Sequence, residues 1–230
     1  MSGLSQAAEQ IIESLSQIEI LRDYQLIGGT ALAITINHRL SEDLDFCKWV
    51  PDSNKAQHAV DAKSLHEELK NKFGEVECNH LGFSQVNFYV TRPGVRITFY
   101  HTDLQKPPIQ PKHLMGNIHV AELNVLAGSK MYVITRRRKI RDYYDILILT
   151  KEGHCNLDVM LRQANFLSRE VTPKKIAKIL KNITFTQPEV EEFQQLNPKF
   201  IVSIEQYKIF FNDMAQQIEA HIKKGTSLKM

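Results

Sequence analysis

The sequence has few cysteines and no long apolar run. Cys47, Cys78 and Cys155 stand far apart and form no CxxC pair, which predicts reduced thiols in a cytoplasmic protein instead of a disulfide framework or a zinc site. No apolar stretch approaches the roughly 18 residues that span a bilayer. The N-terminal residues also lack the basic and apolar segments of a signal peptide. These absences predict a soluble protein with no membrane partner.

An excess of charge of one sign is also missing. The formal net charge is +3 over 230 residues, which says little about partners because the basic residues are unevenly spread. Arginines and one lysine crowd between Arg136 and Arg141. A run of this kind is usually a solvated face, and next to a nucleotide site it can also bind phosphates of a nucleotide or an RNA. Both interpretations stay open.

The hydrophobic pattern predicts alternating helices and strands in the first half of the chain. Residues 4–21 have helical spacing, and the short apolar run 24–27 ends at Gly28-Gly29, which predicts a strand that enters a tight turn. Thr30 is predicted to cap the next helix. The residues "DLDFCKWV" then alternate as in a strand.

The rest of the chain predicts further strands and then helices. A polar helix ending near Phe73 precedes three strand-like runs within residues 75–102, and Arg92-Pro93-Gly94 predicts a hairpin turn. The proline-rich loop 105–111 is the predicted boundary, and mostly helical sequence follows from Val120. The predicted fold class is therefore α+β, with a mixed β-sheet core in residues 1–110 and a helical region in 111–230.

Two aspartates separated by one leucine are the first candidate for chemistry. Asp43 and Asp45 share one face of the predicted strand, with side chains roughly 6–7 Å apart at the base. Both can then reach one Mg²⁺ or Mn²⁺ ion, whose coordination substrate phosphates and water complete. The alternative is a pair of solvated aspartates on an edge strand.

The glycine turn upstream favours the metal interpretation. Glycines between a strand and a helix let phosphates approach backbone N–H groups and the helix N-terminus. Gly28, Gly29 and Thr30 would form this phosphate cradle. A glycine doublet alone is also common in plain turns, so the prediction rests on the combination of strand, glycine pair, helix and aspartate pair.

Two segments carry a family resemblance. "GGTALAITINHRLSEDLDF" resembles the first motif of the nucleotidyltransferase superfamily that includes DNA polymerase beta. Within it, the "GGTALA" opening and the "HRLS" before "DLDF" resemble the AbiEii/AbiGii-type toxin nucleotidyltransferases. "IHVAELNVLAGSKMYVITRRRKIRDYYDIL" is similar to the family segment in which a helical lysine precedes an arginine and a basic-Asp-x-x-Asp motif. Together the two segments anchor residues 24 to about 149.

The resemblance implies roles for individual residues. Asp43 and Asp45 would hold the metal, and Lys130, Asp142 and Asp145 would complete the catalytic set. The implied nucleotide-binding residues are Gly28, Gly29, Thr30, Arg39, Ser41, Lys130 and Arg137. The helical C-terminal region would thereby complete the active site.

The residues of the second segment also have their own physical interpretation. Lys130 on a helix offers a flexible ammonium suited to a triphosphate, or is an ordinary exposed lysine. Asp142 and Asp145 are three apart, so on a helix they lie on one side. They would orient Lys130 or an arginine, contact a nucleotide, or form plain salt bridges with Arg138 and Arg141.

One expected residue is missing from the sequence. Nucleotidyl transfer in this superfamily uses a third carboxylate on a later strand, so that two metal ions act together. Thr98 occupies the nearest inward position, and Asp103 lies five residues further on. A threonine cannot serve as an anionic ligand. Either one metal would suffice with Asp142 or Asp145 assisting, or this copy would bind nucleotide without fast transfer.

The predicted function is a Mg²⁺-dependent transfer of an NMP from an NTP to a hydroxyl. The resemblance implies the toxin of an abortive-infection or toxin–antitoxin pair, with a cognate antitoxin as partner. RNA, in particular the tRNA 3′ end, is the favoured acceptor, and protein is second. The rivals are a nucleotide- or RNA-binding module that has lost catalysis, and a metal-independent scaffold.

Overall fold

A computed structural model describes residues 2–50, 59–102, 104 and 110–223. The chain divides into two compact units between Glu122 and Leu123. Most of the proline-rich loop, the start of the predicted polar helix, and Asp103 lie outside the described residues. Within the described residues, no helix combines the length and apolar character needed to cross a bilayer.

The first unit contains three α-helices and seven strands among its described residues. The helices are α1 (Gln6–Leu15), α2 (Gly28–Ile36) and α3 (Ala62–Phe73), with a 3₁₀ turn at Glu19–Asp23. The strands are β1 (Gln25–Ile27), β2 (Leu44–Trp49), β3 (Val76–His80), β4 (Gln85–Val90), β5 (Val95–Thr102), β6 (Lys112–Met115) and β7 (Ile118–Val120).

The seven strands form one mixed sheet in the order β3-β4-β5-β2-β1-β7-β6. The β2–β5 and β1–β7 pairs are parallel, and the other neighbours are antiparallel. The strands predicted within residues 24–102 are present, so the mixed sheet is confirmed. The sequence pattern did not predict β6 and β7, whose four and three residues are too short to show alternation.

Alternation along the central strands sets the two faces of the sheet. Phe46, Phe88 and Phe99 are fully buried, and their rings contact one another at 5.3 and 5.9 Å between centroids. Helix α3 packs against β3 and β4. Because residues of opposite parity point the other way, Asp45 of β2 lies on the face away from this aromatic core.

The described residues of the second unit form helices joined by turns and irregular loops. Its helices are α4 (Leu123–Val133), α5 (Ile140–Lys151), α6 (Leu157–Leu167), α7 (Pro173–Lys181), α8 (Gln187–Gln194) and α9 (Ile204–Lys223). Thr172 is the N-cap of α7 and accepts a hydrogen bond from the N–H of Lys175, and Pro173 follows it at the first helical position. Helix α4 packs on α5 and α6, and α7 packs on α9.

Candidate functional site

The two aspartates lie where a sheet face meets the glycine turn. In the strand registers, Asp45 stands opposite Ile27 of β1 and Thr98 of β5. Its neighbours Leu44 and Phe46 are fully buried on the other face. Asp43 comes just before the first residue of β2 and shares the side of Asp45 by alternation. The predicted common face of the two carboxylates is therefore present.

At the glycine turn, backbone that carries no side chain lies beside Asp45. Gly28 has a φ of +73°, and a Cβ added there would stand 3.0 Å from Oδ2 of Asp45. The N-cap of α2 is Ile27, which makes no side-chain hydrogen bond to the first turn. The first N–H groups of the helix therefore receive no side-chain acceptor from the cap, which suits a phosphate oxygen.

We expect Gly28→Ala to lower the free energy of unfolding by about 1–2 kcal/mol, because an L-residue with positive φ is strained. Urea unfolding followed by the fluorescence of Trp49, the single tryptophan, measures this loss.

Gly74→Ala is the matched control for this change. Gly74 has a φ of +79° and open space around its Cβ position, so it carries the same strain without a contact to a carboxylate. Both variants should lose stability, and only Gly28→Ala should weaken Mn²⁺ binding. Equal Mn²⁺ affinity in the two variants would show that a Cβ next to Oδ2 of Asp45 does not disturb the proposed site.

Thr30 does not cap the helix, which corrects the prediction made from the sequence. Helix α2 begins at Gly28, so Thr30 is already its third residue. Its buried hydroxyl lies 2.7 Å from Oγ of Ser41 and donates to the backbone carbonyl of Asp43. Thr30 and Ser41 thus fix the backbone that carries the first aspartate, a long-range role that a local capping pattern cannot reveal.

Arg39 lies against the glycine turn. Its side chain is buried, and Nη1 donates to the carbonyl of Leu40 at 2.9 Å. Nη2 lies 2.6 Å from the point that a Cβ on Gly29 would occupy. A side chain at position 29 would therefore force this guanidinium to shift. With glycine there, Arg39 places a positive charge next to the predicted phosphate cradle.

Thr98 lies where the sequence placed it, directly opposite Asp45 in the parallel register. It is 6% exposed. The sequence reasoning missed Arg96, two residues earlier on the same face of β5, whose Nη2 donates to Oδ2 of Asp43. The strand pattern already predicted that Arg96 and Thr98 share a face, because the two residues have the same parity. Arg96 was missed because only carboxylates were considered as candidate site residues on this strand.

In the second unit, Lys130 binds both predicted aspartates. Its Nζ lies 2.9 Å from Oδ1 of Asp142 and 2.7 Å from Oδ2 of Asp145. Lys130 is 4% exposed, and both aspartates are fully buried. The spacing of three residues on α5 brings the two carboxylates to one point of α4, as the helical pattern predicted.

Arg137 completes this ion cluster from the surface. Its Nε donates to Oδ2 of Asp142 at 3.0 Å, and its side chain is 49% exposed. Burial favours the neutral form of Asp142, yet Lys130 and Arg137 hold the pKa of that carboxyl below its ordinary value. The carboxyl therefore stays ionised inside the helical unit at neutral pH.

The alternative prediction for Asp142 and Asp145 was a pair of ordinary salt bridges with Arg138 and Arg141. Instead, Asp142 binds Lys130 and Arg137, while Arg138 donates to Thr184 and approaches Glu189 at 3.9 Å. Arg136 contacts Glu170 at 3.2 Å with its side chain 55% exposed. The basic run is thus a partly paired, solvent-facing surface.

The predicted residues fall into two groups. Gly28, Gly29, Thr30, Arg39, Ser41, Asp43 and Asp45 come together in the first unit. Lys130, Arg137, Asp142 and Asp145 come together in the second unit. Their individual roles in catalysis and nucleotide binding stay predictions.

A family model described as "Nucleotidyl transferase AbiEii toxin, Type IV TA system" matches residues 11–224. That match spans both groups of site residues and nearly the whole chain.

Relatives with solved structures share the fold. A Helicobacter pylori protein described as a candidate nucleotidyltransferase superposes with a TM-score of 0.58 at 20% identity, covering 96% of this chain and 98% of that one. The H. pylori protein JHP933 gives 0.57 at 20% identity, covering 97% and 96%. An uncharacterised Aquifex aeolicus protein is 24% identical over 200 residues, 86% of this chain and 91% of its own length. The predicted nucleotidyltransferase-type fold is confirmed.

Proposed function

The chain belongs to the AbiEii family of nucleotidyl transferase toxins, and from this premise we propose that it moves a nucleoside monophosphate from an NTP to a hydroxyl acceptor. The observation that carries the proposal is the placement of Asp43 and Asp45 on one sheet face beside the glycine turn at Gly28. A carboxylate pair and a phosphate-sized backbone surface are the two parts that such a transfer needs.

The donor set suits a divalent cation such as Mg²⁺ or Mn²⁺. Carboxylate oxygens are hard ligands, and Asp43 and Asp45 supply them from one face. Within the described ranges, no cluster of three or more His, Cys, Asp or Glu residues has a metal-binding arrangement. Triphosphate oxygens and water would therefore complete the shell. When bound, the cation would neutralise charge on the phosphates during transfer.

The chain's own residues would orient the triphosphate. The N–H groups of Gly28, Gly29 and Thr30 would bind phosphate oxygens at the start of α2, and Arg39 would add its charge beside Gly29. In the transfer, the acceptor oxygen forms a bond to the α-phosphorus and the α–β phosphoanhydride bond breaks. Pyrophosphate leaves, and the hydroxyl proton passes to solvent.

The second group would contribute from the helical unit. Within this unit, Asp142 and Asp145 hold the ammonium of Lys130. Arg137, half exposed and bound to Asp142, would be a further phosphate ligand. The buried carboxylates keep the cluster from carrying a large net charge before substrate binds.

RNA is the acceptor that we propose first, with the tRNA 3′ end as the favoured site and protein as the second choice. The exposed arginines Arg136 and Arg138 support this preference, since polyanions bind exposed guanidinium groups. Membership of a toxin family also makes a cognate antitoxin the proposed protein partner.

A binding module without catalysis is the second candidate function. The position of Thr98 opposite Asp45 favours it, because the described residues then place two carboxylates beside the glycine turn, where the two-metal mechanism uses three. This candidate predicts that an NTP binds and that no label moves.

We expect label from one α-³²P-NTP to enter RNA when the purified protein is incubated with Mg²⁺ and total cellular RNA. Parallel reactions with each of the four NTPs identify the base, and a reaction with total protein in place of RNA tests the second acceptor. Sequencing of labelled RNA locates the modified end. NTP binding without label in either acceptor would establish the binding module instead.

A further inference from the structure

Arg96 is a charged residue on the proposed site face that the family motifs leave unassigned. It lies on β5, two residues before Thr98, so both side chains point to the face of Asp45. Its Nη2 donates to Oδ2 of Asp43. Because its side chain is 47% exposed, the guanidinium lies at the mouth of the site, with solvent on one side.

Among the described residues, the carboxylates next to the glycine turn are fewer than a two-cation site requires. Asp43 and Asp45 are the acidic residues that the strand register brings to the glycine turn, and the position opposite Asp45 holds the neutral hydroxyl of Thr98. A site for two divalent cations normally includes a carboxylate that both ions share. This face instead presents a fixed cation to the first aspartate.

We infer that Arg96 takes the place of a second divalent cation, so that one cation bound by Asp43 and Asp45 serves the transfer. The inference rests on the proposed function and adds a residue to it. Two carboxylates, one divalent cation and one guanidinium carry a formal charge of plus one. Three carboxylates with two divalent cations carry the same charge, so the pair Arg96 and Thr98 conserves the net charge offered to the triphosphate.

Arginine is chemically suited to this position. Its guanidinium keeps its charge at every working pH and has five N–H donors in a rigid fork. One donor holds Asp43, and the others can bind phosphate oxygens that gain negative charge during transfer. Arg96 thus orients a metal-binding carboxylate and presents positive charge to the nucleotide with the same group.

Mn²⁺ titration of the full chain, followed by the electron paramagnetic resonance signal of the free ion, measures the number of cations directly. The variants are Arg96→Met, Arg96→Lys, Thr98→Asp and the double variant Arg96→Met/Thr98→Asp. Arg22→Met is the matched control, since Arg22 also forms an exposed ion pair in the first unit, with Glu19 at 3.0 Å.

We expect wild type, Arg96→Met and Arg22→Met each to bind one Mn²⁺. Arg96→Met should bind it about tenfold more tightly, because the guanidinium no longer competes for Asp43. The double variant should bind two Mn²⁺ ions. In the labelling reaction, Arg96→Met should lower kcat about a hundredfold with a smaller change in KM, since charge grows in the transition state. Arg96→Lys should recover part of this loss.

Two Mn²⁺ ions in the wild type, or a second ion that fails to appear in the double variant, would overturn the inference. Wild-type kcat in Arg96→Met would do the same. If the wild type transfers no label at all, the proposed function fails, and the Mn²⁺ counts still decide whether Arg96 replaces a cation. Circular dichroism of each variant confirms that the sheet and helices are retained.

Discussion

Replacing Asp43 and Asp45 with asparagine is expected to lower kcat/KM for nucleotidyl transfer by about a thousandfold or more. Asparagine keeps the size of each side chain and removes both negative charges, so the proposed divalent cation would lose its two protein ligands. Arg96 also loses the anion that it binds. The labelling reaction with α-³²P-NTP and RNA measures this loss.

The matched control for the aspartate pair is Glu42→Gln. Glu42 is the exposed acidic neighbour of Asp43, so this variant removes the same kind of charge from the same segment. We expect it to transfer at the wild-type rate. Transfer by the double asparagine variant within tenfold of wild type would contradict the metal-binding role of the pair. A similar loss in Glu42→Gln would show that general surface charge matters instead.

The second large effect is expected for stability. Lys130→Met should lower the free energy of unfolding by about 3–5 kcal/mol, because it leaves buried carboxylates without their cation. Asp142 and Asp145 are fully buried, and both bind the ammonium of Lys130. Most helical residues lie in the second unit, so thermal and urea unfolding followed by far-ultraviolet circular dichroism measures the change.

Lys181→Met is the control for the loss of a lysine in the same unit. Lys181 pairs with Glu219 at 2.7 Å, with both side chains 40% exposed. A solvated pair of this kind contributes less than about 1 kcal/mol. An equal loss in the two variants would mean that burial of the Lys130 cluster does not decide its contribution.

The pH dependence of the Lys130→Met defect gives an independent check. In the wild type, Lys130 and Arg137 hold the folded-state pKa of Asp142 below the ordinary value of 3.8. This stabilisation is present above the unfolded-state pKa and is lost as the pH falls through the folded-state pKa. In Lys130→Met the attraction of that ammonium is gone, so the pKa of Asp142 should rise relative to the wild type, and protonation at acidic pH should relieve part of the defect. A defect of the same size at pH 4 and pH 7.5 would contradict this explanation.

The fold class followed from local patterns. The period of two in "DLDFCKWV" predicted that Asp43 and Asp45 share a face opposite Leu44 and Phe46, and the strand has that arrangement. The spacing of three between Asp142 and Asp145 likewise predicted one side of a helix. Such patterns can be recognised in a sequence because each repeat is set by the geometry of a single helix or strand. Strands β6 and β7 were missed because each is too short to contain a repeat.

The partners of those residues came from the tertiary structure. The hydroxyl of Thr30 meets Ser41 and the carbonyl of Asp43, although the sequence suggested a helix cap. Arg96 reaches Asp43 because β2 and β5 are parallel neighbours in one register, and 53 residues separate the two along the chain. Lys130 is buried between two carboxylates because α4 packs on α5.

The sequence by itself therefore determined which side chains share a face, since strand and helix periods are local properties. Only the tertiary structure decided which charges meet, because register and helix packing bring together residues whose separation in the chain carries no periodic signal. In this protein the aspartate pair was therefore predictable from the sequence, whereas the arginine that binds Asp43 was found only in the tertiary structure.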